Sequence, residues 1–88
     1  MLDMKLYPNP ASATNPLKIS YELEEMPDVV VRVYTVYGVK VKALDSKIGY
    51  NEIILNEFNR TTIGKSVAKI EVLINNSIVK EETLTFID

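Results

Sequence analysis

The chain has 88 residues, of which 47% are apolar and 25% charged, with a formal net charge of -2. That is a single domain with enough apolar side chain to bury a core, which excludes a disordered chain, and without the basic surplus that phosphate backbones or anionic membrane surfaces call for. Cysteine and histidine are both absent, which removes disulfides, thiolate chemistry, the usual neutral-pH general base and the commonest metal ligand.

The first residues, MLDMKLYPNP, lack the charged head and apolar stretch of a signal peptide. No apolar run approaches the roughly 20 residues of a membrane span. On this basis the chain is either cytoplasmic or a fragment of a longer exported protein. LDMKLY reads as a first strand. It runs into Pro8-Asn9-Pro10, with a further proline at Pro16. Proline fixes φ and removes a donor, so this run cannot lie inside a sheet. It reads as a rigid corner that ends the first strand and carries the chain across to a second sheet, with each preceding residue held extended. The Asn9 side chain is expected to bond local backbone groups that the prolines leave unpaired.

Leu17, Ile19, Tyr21 and Leu23 alternate with Lys18, Ser20, Glu22 and Glu24, the pattern of a half-buried strand. Glu25-Met26-Pro27-Asp28 breaks it. VVVRVYTV, residues 29–36, is β-branched and aromatic throughout and reads as a central strand covered on two sides. Tyr37-Gly38 then leads to VKVKAL, residues 39–44. A glycine able to take φ > 0 between two such runs signals a hairpin. Residues 50–55 form a further short strand. Residues 56–65 are irregular, with Phe58 and Ile63 as plugs over the core edge. Residues 66–74 form a long strand, Asn75-Asn76-Ser77 a turn and residues 78–87 the last strand. About seven short strands at this spacing define an all-β, immunoglobulin-like or fibronectin III-like sandwich over residues 1–88 as one domain. An up-and-down barrel is the alternative, but so few short strands favour two packed sheets.

Three blocks carry a resemblance that covers nearly the whole chain. Tyr7-Pro8-Asn9-Pro10 leads into Ile19-Ser20-Tyr21-Glu22-Leu23. Val33-Tyr34-Thr35-Val36-Tyr37-Gly38-Val39-Lys40-Val41 is similar to a "Val-Tyr-Asp-x-x-Gly-Lys-x-Val" hairpin. Gly64-Lys65-Ser66-Val67-Ala68-Lys69-Ile70 falls where "Gly-x-Tyr-x-x-Lys-Ile" is expected. Together they resemble the C-terminal sorting domain of the type IX secretion system of Bacteroidetes, a family that also resembles the immunoglobulin-like modules of flagellar hook-capping proteins. Thr35 replaces the family's usual aspartate and would accept turn N–H groups more weakly. Ser66 stands where an aromatic is common, and Phe86-Ile87-Asp88 where such domains often end on a basic residue.

The resemblance implies a non-catalytic sorting and attachment module at the C-terminus of a larger exported protein. Its implied partners are an outer-membrane translocon, a sorting peptidase and a covalently linked N-terminal cargo domain. Its implied location is outside the cell or on its surface, reached through the periplasm. The recognition residues it implies are Tyr7, Pro8, Asn9, Pro10, Gly38 and Gly64. No cofactor, nucleic acid or membrane span is expected. The alternative is a structural spacer or a carbohydrate-binding accessory domain of a glycan-degrading enzyme.

Other residues weigh toward plain readings. Glu22, Glu24, Glu25 and Asp28 form a solvated acidic edge, because no loop has the oxygen spacing of a calcium site. Lys65 and Ser66 are neighbours on a strand, so their side chains point to opposite faces rather than forming a nucleophile dyad. Glu81-Glu82 reads as edge protection. Among the tyrosines that could line a sugar-binding face, Tyr7, Tyr21, Tyr34, Tyr37 and Tyr50, the strand patterns assign Tyr21 and Tyr34 to the core and leave Tyr37 and Tyr50 exposed. Asn59-Arg60-Thr61 and Asn75-Asn76-Ser77 match the glycosylation acceptor pattern. No pair of carboxylates, metal set or phosphate loop emerges, so an enzyme is not expected.

Overall fold

The computed structural model describes residues 3–12 and 14–87. Its eight strands are β1 (Met4–Tyr7), β2 (Ala11–Ser12), β3 (Lys18–Leu23), β4 (Val29–Thr35), β5 (Gly38–Leu44), β6 (Gly49–Ile54), β7 (Val67–Ile74) and β8 (Ser77–Ile87), with a one-turn helix α1 (Arg60–Ile63) before β7. Two sheets form, one in the order β1-β3-β6 and the other in the order β2-β8-β7-β4-β5. All pairings are antiparallel except β2 with β8. This is the sandwich read from the strand pattern, with the immunoglobulin-type order in which the first strand switches sheets.

The alternation decides what meets in the middle. Met4 and Leu6, then Ile19, Tyr21 and Leu23, face inward from the small sheet. Val29, Val31 and Val33, Ala68, Ile70 and Val72, and Leu84 and Phe86 face them from the large one. Leu55, Phe58 and Ile63 close the end at which α1 sits, as the sequence predicts for Phe58 and Ile63. The segment expected to be irregular contains a helical turn because Asn59 caps it. The Asn59 side chain accepts from the N–H groups of Thr61 and Thr62, and the Thr62 side chain accepts from Asn59 N–H.

The structure departs from the sequence reading in four places. Strand β4 buries only its Val29-Val31-Val33 face. Its other face carries Val30, Arg32 and Tyr34 half-buried on the outside of the large sheet, so Tyr34 is not a core residue. The two residues of β2, unremarkable in sequence, add a short parallel strand to the end of β8. The first strand begins at Met4 and does not include Asp3; Leu2 and Asp88 lie outside the described residues. The fourth correction concerns Asn9. Its side chain ignores its own neighbourhood, donating to the Thr83 carbonyl (3.1 Å) and accepting from Thr85 N–H (3.0 Å).

That last contact solves a topological problem. Strand β8 is an edge strand except where β2 pairs with Phe86 and Ile87. Tyr7-Pro8 and Asn9-Pro10 are both cis. The two bonds to Thr83 and Thr85 set the Asn9 amide against the open edge just before β2 begins. The amide thus extends the ladder by one pair of bonds while the two prolines, lacking N–H groups, need none. Replacing Asn9 by alanine removes both bonds from a solvent-accessible edge and should cost about 1–2 kcal/mol. Chemical denaturation checks this, and hydrogen exchange should show the loss concentrated at Thr85 N–H.

Further along β8, Glu82 stands opposite buried Ile70 and therefore points inward from the free edge. Its Oε2 atom is buried and has no hydrogen-bond partner among the described residues. An inward-pointing carboxylate on an edge strand opposes pairing with a second chain, which agrees with the edge-protection reading.

Candidate functional site

The residues singled out by the resemblance lie at one end of the sandwich, in two groups on opposite edges of the large sheet. The Tyr7–Pro10 corner flanks β8, opposite Thr83 and Thr85. Gly38 and Gly64 lie together where the β4–β5 turn rests on the end of α1. There Val36 N–H donates to the Ile63 carbonyl (3.0 Å), and Gly64, with φ +86°, ends the helix with its N–H on the Arg60 carbonyl (2.9 Å). The turn itself is built by Thr35, whose Oγ1 accepts from Tyr37 N–H (3.0 Å) and donates to the Gly38 carbonyl (2.7 Å). Threonine therefore does what the expected aspartate would do for the N–H, and adds a donor that aspartate lacks.

Two charged clusters escaped the sequence reading. On the outer face of the large sheet, Arg32, Tyr34, Lys69 and Glu71 come into register across β4 and β7. The nearly buried Glu71 takes Arg32 Nε and the Tyr34 hydroxyl on Oε1, both at 2.7 Å, and Lys69 Nζ at 3.6 Å on Oε2. Lys69 also bridges to Glu81 at 2.7 Å and lies 5.4 Å from the Tyr34 ring centroid. The bonds from Tyr34 and Arg32 hold the Glu71 carboxyl below the usual carboxylate range. A depressed carboxyl stabilises the fold in full above its unfolded pKa and loses that contribution as pH falls toward its folded value. The melting temperature should accordingly decline as pH drops through and below the ordinary carboxylate range, and Glu71→Gln should flatten part of that slope. Parallel thermal melts of the two proteins from pH 6 to 2 check this.

The second cluster lies on the outer face of the small sheet. The Tyr7 hydroxyl donates to Glu52 Oε2 (2.7 Å), and the Tyr50 hydroxyl reaches the same oxygen (3.3 Å). The bond to Glu52, followed by desolvation, pushes the Tyr7 phenol up to about 12, while the same bond lowers Glu52. Across the neutral range Glu52 is therefore a carboxylate bonded by a neutral Tyr7 phenol. Tyr37 and Tyr50, the two tyrosines expected to be exposed, are so, at 72% and 57%. They do not form one platform, since Tyr37 sits in the β4–β5 turn and Tyr50 on β6. The partner of Tyr50 is Tyr7.

Register alone unites these groups. Ser20 of β3 pairs with Glu52 on one side and Lys5 on the other, and Tyr7 reaches across β3 to Glu52. Nothing in the spacing of residues 7, 50 and 52 announces a meeting of β1 with β6 across a third strand. The remaining candidates behave as local structure. The Asn59 side chain is committed to its helix cap, and Asn75, at φ +50°, accepts from Asp28 N–H. Lys65 and Ser66 are both exposed and precede β7 instead of lying on it, so the opposite-face argument from a strand does not apply to them. Among the described residues no group of three or more acidic, cysteine or histidine side chains is placed to hold a metal ion, and no helix is long and apolar enough to cross a membrane.

Fold and surface together define a small immunoglobulin-type β-sandwich module. No protein-family model, curated protein or solved structure matches this chain.

Proposed function

We propose that the chain is a non-catalytic sorting and attachment module of the type IX secretion kind, appended to a larger exported protein and recognised as a folded unit at an outer-membrane translocon. The observation that carries this reading is the convergence of the resembling blocks on one end of the sandwich, each with a defined structural task. Asn9 of the Tyr-Pro-Asn-Pro block closes the β8 edge. The Thr35–Gly38 turn and the Gly64 block meet at the end of α1. In this reading the motif residues shape the surface that a translocon and a sorting peptidase contact, and the cargo domain precedes them in the chain. Fold by itself hosts many functions, so the resemblance and not the sandwich supplies the choice.

The test is a reporter carrying an export signal at its N-terminus and this domain at its C-terminus, produced in a type IX-competent bacterium. Surface-exposed or released reporter, lost when the translocon gene is deleted, supports the reading. A folded reporter that stays in the periplasm overturns it.

A further inference from the structure

The outer face of the small sheet holds more than a sorting role requires. Asp3, Lys5, Tyr7, Ser20, Glu22 and Tyr50 line an open recess of about 380 Å³, within the size range of small-ligand sites. Its floor is low because Ser20, the central residue of the central strand, is small and only 6% exposed. Its walls are tyrosines from the two flanking strands. Both phenol tips are anchored on the same Glu52 oxygen, so the rings are held in place before any ligand arrives.

The charges narrow the ligand class. Across the face, Lys18 stands between Tyr7 and Ile54, Ser20 between Lys5 and Glu52, and Glu22 beside Tyr50. Both signs of charge thus line one recess, Asp3 and Glu22 together with Lys5, so a ligand of either charge would meet groups of its own sign there. A polyhydroxylated, uncharged chain meets no such penalty. Its hydroxyls donate to the carboxylates and accept from the lysines, while its apolar ring faces stack on the tyrosines. An open recess on a flat sheet suits an extended chain better than an enclosed small molecule.

We propose that this face binds a neutral polysaccharide, with Tyr50 and Tyr7 as stacking surfaces held by Glu52, and Asp3, Glu22 and Lys5 as hydrogen-bonding groups. The inference shares only Tyr7 with the sorting reading and does not rest on it, since it is argued from the outer face of the small sheet and can be tested on the 88-residue chain. The experiment is affinity electrophoresis in gels containing mixed-linkage β-glucan, xylan, galactomannan or a soluble α-glucan, followed by calorimetric titration with whichever retards the protein. Tyr50→Ala, at an exposed position, should leave the thermal melt unchanged and weaken binding at least about tenfold, equivalent to about 1.4 kcal/mol. Tyr7→Phe keeps a ring but frees Glu52, and should weaken binding by less. Tyr37→Ala, on the other sheet, should change nothing. Absence of retardation by all four polysaccharides overturns the proposal. So does retardation that Tyr37→Ala weakens as much as Tyr50→Ala, or binding abolished by 0.5 M salt, which would show attraction between charges instead.

Discussion

Replacing Ile63 by alanine should destabilise the domain by about 2–5 kcal/mol, the usual cost of truncating a fully buried aliphatic side chain. The position is 0% exposed and is the one buried residue of α1. A chain of 88 residues has a total stability of roughly 4–13 kcal/mol, so the loss is a large share of the whole. Helix propensity works in the opposite direction, because alanine is the better helix former, so a large loss reports packing and not the helical turn. The carbonyl of Ile63 also holds Val36 N–H, which ties the plug to the β4–β5 turn. Urea denaturation should show the midpoint falling with an unchanged slope, and Ile63→Val should lose only about 0.5–1.5 kcal/mol. A loss below 1 kcal/mol for the alanine variant would mean that the end of the sandwich collapses onto the gap or that Ile63 is not the plug.

The plug was visible in sequence because Phe58 and Ile63 are apolar residues in an otherwise polar stretch. The strand set was visible for the same reason, since alternation over Leu17–Leu23 and β-branched runs at Val29–Val33 leave few other readings. What stayed hidden depends on which residues face each other over long sequence distances. Tyr34 looked like core because VVVRVYTV is apolar on both faces by composition. It is a ligand of Glu71 on the outer face of the large sheet because β4, which lies between β7 and β5, buries only its Val29-Val31-Val33 face. The meeting of Tyr7 with Glu52 needs two registers, β1 on β3 and β3 on β6, and a one-residue slip in either would send the side chains to the core face. Asn9 was legible as a hydrogen-bonding residue in a donor-poor segment but not as the partner of Thr83 and Thr85, because the identity of an open strand edge is a property of the assembled sheet. The resembling residues Gly38 and Gly64 were found by motif, and the reason for one of them is steric.

Gly64→Ala should cost about 2–4 kcal/mol, more than Gly38→Ala, and the difference measures how tightly the β4–β5 turn rests on the helix end. Both glycines have positive φ, at +121° for Gly38 and +86° for Gly64, so each substitution carries a backbone cost of about 1–2 kcal/mol. Only at Gly64 is there a second term. A Cβ there overlaps Val36 Cγ2 and comes within 3.0 Å of Tyr37 Cε2, whereas at Gly38 it meets nothing within 4 Å. Val36 and Tyr37 are more than half exposed and can swing aside, but the bond from Val36 N–H to the Ile63 carbonyl keeps their backbone where it is, so relief must come from off-rotamer side chains or a shifted turn. The double variant Gly64→Ala with Val36→Ala separates the two costs. Removing the Val36 methyls should recover most of the steric part and none of the backbone part. Equal losses for Gly64→Ala and Gly38→Ala would mean that the turn gives way freely. In that case the Gly64 block would owe its place to its left-handed conformation alone, and the packing of the two resembling blocks against each other would contribute nothing to the fold.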